Sequence, residues 1–169
     1  MNTTAKLYSY DFGMLKTYLF ATAFIAGNLI LPQLAHFIPN GGPTLLPIYF
    51  LTLIAAYKYG IRVGLLTAIL SPLANFAIFG MPVAAMLPVI ITKSVLLAVA
   101  AGIIATKTGK ISILNLIMVV LAYQLIGSVA ELLFTGSFNA ALQDFTLGYP
   151  GMLIQILGGY LALKALAKT

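Results

Sequence analysis

Lys93 stands in "VIITKSVLLAV" (89–99), where every other side chain is apolar except the small hydroxyls of Thr92 and Ser94. An ammonium near the centre of a bilayer costs roughly 2.5–3.5 kcal/mol on insertion scales, so it faces a partner, a bundle interior or a water-filled cavity. Glu131 interrupts a second apolar run, "GSVAELLFTG" (127–136). Three readings of the lysine stay open. It forms a structural salt bridge that neutralises Glu131. It faces a ligand in an outward pocket, with Glu131 as partner or second contact. Or it snorkels to the interface with no partner.

Asn28, Gln33, His36, Tyr49, Asn75, Gln124 and Gln155 also fall in or at the ends of apolar runs. Catalytic chemistry finds no footing among them. No nucleophile and base stand at a recognisable spacing, and no glycine-rich phosphate loop precedes a helix, so the chain has no ATPase site of its own. Three acidic residues leave little acid–base machinery. His36 is the sole histidine and there is no cysteine, so no metal constellation is expected. The expectation is a non-enzymatic protein without cofactor or metal.

The elements that position these groups follow from composition. Of 169 residues, 62% are hydrophobic and 7% charged, with a mean hydropathy of +1.07. A soluble domain carries about 25% charged residues, because its surface faces water. An all-α integral membrane protein is therefore expected, one domain over 1–169 with residues 1–15 as a short cytoplasmic segment. Runs of about 20 apolar residues suffice to cross a ~30 Å core, and they lack the alternation of barrel strands. Six spans can be drawn, at 16–36, 44–58, 62–80, 84–106, 111–135 and 148–166. The first is too long for a cleavable signal peptide and has no small-residue cleavage site.

"IPNGGPT" (38–44), "KYGIR" (58–62), "FGMP" (79–82) and "KTGK" (107–110) are short turn-forming links. "TGSFNAALQDFTLGYPG" (135–151) is the longest connection, polar with aromatics interleaved. With the N-terminus inside, Lys6, Lys16, Lys58, Arg62, Lys107, Lys110, Lys164 and Lys168 all fall on one side. Only Lys93 escapes the pattern, and the opposite side holds Asp144. This positive-inside asymmetry makes both termini cytoplasmic. It also accounts for the net charge of +6 without nucleic acid. In this frame His36, Tyr49, Asn75, Glu131 and Gln155 lie toward the external helix ends, and Lys93 could meet Glu131 in the outer half of the bundle.

The stretch 41–82 resembles helices 2 and 3 of the substrate-binding S components of energy-coupling factor transporters. The likeness rests on Leu46-Pro47, Lys58-Tyr59-Gly60, Gly64-Leu65-Leu66, Ser71-Pro72-Leu73 and Gly80-Met81-Pro82. It covers about 40 residues in motif and most of the chain in architecture. It implies a six-helix bundle in the cytoplasmic membrane of a bacterium or archaeon, which captures a vitamin or related micronutrient at its outer face. The implied partners are a membrane coupling subunit and two cytoplasmic ATPases.

The implied pocket is formed by the loop between helices 1 and 2, which contains Asn40, together with the outer halves of helices 4 to 6. Lys93 would hold the negative group of an at least partly anionic ligand. Tyr49, Asn75, Glu131, Gln155, His36 and Asn40 would supply further contacts, and 38–44 would act as a lid. The small residues Ala23, Ala26 and Gly27 would form the docking face for the coupling subunit. Two departures fall near this pocket: Tyr49 replaces a histidine common in relatives, and Lys93 stands where many carry glutamate. The N-terminus "MNTTAKLYSY" lacks the histidines of metal-transporting members, so a metal substrate is not expected. A structural membrane scaffold of the cell-shape type, with no small-molecule ligand, is the competing class. A self-sufficient small transporter is weaker, because no repeat relates the two halves.

Overall fold

The computed structural model describes residues 3–4 and 7–167, and it is mostly helical, at 83%. Its longer helices are α1 (Leu15–Ala35), α3 (Pro47–Tyr59), α4 (Ile61–Phe79), α5 (Leu87–Thr108) and α6 (Ile113–Thr135). Short α2 (Gly41–Leu45) precedes α3; α7 (Phe138–Thr146), α8 (Tyr149–Leu153) and α9 (Gly159–Leu166) follow α6. A π turn, Ile154–Gly158, joins α8 to α9. Thr3–Thr4 (β1) pairs antiparallel with Lys110–Ile111 (β2), tying the N-terminal segment to the α5–α6 link.

Among the described residues, four helices are long and apolar enough to cross a bilayer: α1, α4, α5 with its preceding 3-10 turn, and α6. The pair formed by α7 and Tyr149–Leu166 makes a fifth if its 51° bend is counted within one span. These helices suit a multi-pass membrane protein. Their outward faces carry Leu114, Leu125, Leu133 and many other exposed apolar side chains, which would be costly against water.

The stretch 44–58 is not one continuous helix. Leu46 sits in the left-handed region (φ 47°, ψ 47°), and Pro47 then opens α3 at its first turn. Proline has no N–H to extend α2 but is preset for a helix start. The resulting α3 has 13 residues, about 20 Å at 1.5 Å per residue, shorter than the ~30 Å hydrocarbon core. Ten of its residues are buried, so it is the central packing helix of the bundle. Helices α1, α4 and α5 surround it. Glycines permit the closest approaches, as a Cβ at Gly64 would collide with Ala56 and one at Gly102 would lie 2.8 Å from Ile61 Cβ.

The connection 135–151 is largely helical. Gly136 ends α6 in the left-handed region (φ 65°), its N–H donating to Leu132 O at 2.8 Å. Ser137 then accepts from the Ala140 N–H at 3.3 Å, which caps α7. A stop and a start in adjacent residues fold the chain back over the end of the bundle.

The basic links gather at the other end. Tyr8 N–H donates to Lys58 O at 2.8 Å, and the Tyr57 hydroxyl donates to Lys110 O at 2.6 Å. Arg62 lies 3.5 Å from Asp11, just before α1 and Lys16. Lys6 and Lys168 lie outside the described residues.

Candidate functional site

Two turns into α5, Lys93 is 2% exposed. Its stem lies over Gly127 of α6, where a Cβ would come within 2.7 Å of Lys93 Cγ. The missing side chain at Gly127 is the space the lysine occupies. The ammonium donates to Glu131 Oε2 and, at 2.8 Å, to Asp144 Oδ2 of α7. The side chains of all three are largely buried. One cation thus faces two carboxylates, a formal balance of −1.

This triad forms part of the wall of a cavity of about 310 Å³. Pro32 of α1, His36 just past its end, Gly42 and Pro43 of α2, and Met81, Pro82 and Val83 of the α4–α5 link line other parts of it. Tyr49, Asn75, Gln143 and the triad supply most of its polar groups. A few polar groups in a largely apolar concavity of this size are what small-molecule sites look like.

Of the residues expected here from sequence, Lys93, Glu131, Tyr49, Asn75 and His36 line this one cavity. Tyr49 is 4% exposed, and its hydroxyl has no hydrogen-bond partner among the described residues. Asn75 also serves a second network. Its Nδ2 donates to Asn28 O (2.8 Å) and Ser71 O (3.0 Å), while Asn28 Nδ2 reaches the hydroxyls of Thr52 and Ser71, each at 3.2 Å. That network stitches α1, α3 and α4 together beside the cavity. His36 is exposed and stands at the rim, just past the end of α1.

Gln155 and Asn40 are not among the lining residues. Gln155 accepts from the Tyr123 hydroxyl at 2.8 Å within the π turn, and the Tyr123 ring packs at 5.5 Å from that of Tyr49. Its place is therefore behind the cavity wall. Asn40 is the residue before α2, in the left-handed conformation (φ 55°) that asparagine tolerates better than most. Gly41 and Gly42 form the first turn of α2, and a Cβ on Gly41 would collide with the Ala35 carbonyl. On α1, Ala23 and Ala26 are exposed, whereas Gly27 is half-buried against Leu51 of α3.

Sequence reasoning missed the role of Asp144, because it treated 135–151 as an irregular loop. The signal was present: Phe138, Ala141, Leu142 and Phe145 recur at helical spacing behind a serine cap. That register presents Ala141 and Phe145 to the bundle and places Asp144 beside them. Among the described residues, no three His, Cys, Asp or Glu side chains gather as a metal site. Compared with known proteins, the chain matches no family model, no curated protein and no solved structure.

Proposed function

We propose that this protein is the membrane-embedded substrate-capture subunit of an energy-coupling-factor type importer. It binds a small micronutrient at the outer end of the bundle and delivers it with a coupling subunit and two ATPases. One observation carries the reading: a desolvated ion triad opens onto a cavity of about 310 Å³. A triad serving stability alone has no need of adjoining empty space, and packed interiors leave few voids larger than a water molecule.

In this reading the chain makes six crossings. The short α3 passes inside a ring of longer helices, and α8, the π turn and α9 together form the last span. Both termini are cytoplasmic, with the basic links on the inner face and the cavity on the outer. The short α2 over the cavity mouth acts as the lid. The exposed Ala23 and Ala26 of α1, with Gly27 beneath them, supply a smooth face against which the coupling subunit docks.

Native mass spectrometry of the protein released gently from its own membrane tests the reading. A small molecule retained at one per chain, and displaced when Tyr49→Trp narrows the cavity, is the expected result. A chain free of any ligand that co-purifies with cell-wall enzymes rather than ATPases would point to the structural scaffold instead.

A further inference from the structure

We infer that the cavity takes a small organic cation, an amine or quaternary ammonium carried on an apolar body. This rests on the capture reading and specifies its ligand. The residue that first draws attention, Lys93, suggests an anion. Its ammonium, however, already donates to Glu131 and to Asp144. An incoming anion would meet one occupied ammonium and the repulsion of two carboxylates in a poorly solvated site, where charge–charge terms are far stronger than in water.

The carboxylates keep unused acceptor oxygens. Each carboxylate spends one oxygen on Lys93, leaving Glu131 Oε1 and Asp144 Oδ1 without a donor among the described residues. The Tyr49 hydroxyl, on a side chain 4% exposed that lines the same cavity, is also unpartnered. A bound monocation neutralises the formal −1 of the triad and gives these oxygens a donor or a charge to face. Buried charges persist when they are paired, and Lys93 pairs only half of the negative charge present.

The cavity's own chemistry selects an organic cation over a bare metal ion. Hard cations take about six or more oxygen ligands, whereas this wall is mostly hydrocarbon, with Met81, Val83 and Ile90 facing the space. An ammonium on an apolar body fits both parts: the charge sits against the triad and the body fills the greasy remainder.

The test uses size-matched triplets, each an amine, a carboxylate and an alcohol on the same benzyl, cyclohexylmethyl or pentyl body. Binding to the purified full chain in detergent at pH 7 is read by calorimetry and thermal shift. The amine of each triplet is expected to bind at least tenfold tighter than its carboxylate. Asp144→Asn, which brings the triad to formal neutrality, is expected to cut that preference by about tenfold or more. Glu131→Gln serves as a second variant should Asp144→Asn prove polydisperse. Carboxylates that bind wild type as tightly as amines overturn the cation assignment while leaving capture intact. If no member of any triplet binds, and the protein retains no native ligand, the capture reading falls with it.

Discussion

A Cβ at Gly127 would lie 2.7 Å from Cγ and 3.3 Å from Cε of Lys93, so the lysine stem runs along a groove that a single missing methyl creates on α6. Glu131 stands one turn further along the same helix and receives the ammonium. Groove and acceptor, spaced i and i+4, share one helical face. The ion triad therefore depends on a glycine as much as on its charges.

Gly127→Ala should displace Lys93 from that groove. Overpacking a tight site costs about 1–3 kcal/mol, partly offset by the ~1 kcal/mol better helix propensity of alanine. The expected outcome is a lower unfolding temperature in detergent, with partial recovery when Lys93→Ala is added. Strict additivity of the two substitutions would show that the groove does not position the lysine.

Lys93→Met keeps most of the stem's volume and removes the charge. Two buried carboxylates then lose the one cation that pairs them among the described residues, and breaking a buried pair in this way typically costs about 3–5 kcal/mol. Adding Glu131→Gln and Asp144→Asn should restore much of the loss. Thermal unfolding of the single and triple variants measures it; a single variant as stable as wild type would mean the triad is solvated rather than buried.

Tyr49→Phe separates binding from stability. The hydroxyl has no partner within the described protein, so its removal should change stability by less than about 0.5 kcal/mol. Loss of one ligand hydrogen bond, worth about 0.5–1.5 kcal/mol, should weaken binding by roughly 2- to 12-fold. A marked drop in stability without a change in affinity would assign Tyr49 to packing alone.

Asn28→Ala should loosen α1 from α3 and α4. It removes the donor shared by Thr52 and Ser71, and interhelical hydrogen bonds in membranes are worth about 0.6 kcal/mol each on average. A fall of about 1 kcal/mol is expected from reversible unfolding in mixed micelles. Ligand affinity should fall too, because Asn75, which donates to the Asn28 carbonyl, lines the cavity.

Orientation can be read directly, since the chain contains no cysteine. With the basic links inside, Phe37→Cys should react with a membrane-impermeant maleimide in intact cells. Lys107→Cys should react only after permeabilisation. The reverse pattern would invert the proposed topology.

What the residues alone determine is the solvent and the ends. So few charges and so many apolar runs suit a surface that faces lipid rather than water. The basic residues also gather in the links at one end. The wish of Lys93 for a partner, and Glu131 as one candidate, are likewise legible, because an unpaired ammonium in hydrocarbon is expensive wherever the chain folds.

Only the tertiary structure decides the rest. Hydropathy cannot separate a lipid-facing helix from one packed inside a bundle, and only the ten buried residues of α3 place it at the centre. Nor does it reveal that Gly136 and Ser137 turn α7 back over the bundle. That turn brings Asp144 across 51 positions to Lys93. Local spacing governs which residues share a helix face, but the meeting of faces on α5, α6 and α7 is a property of their packing. The sign of the site's charge is decided there, by one carboxylate that sequence distance had hidden.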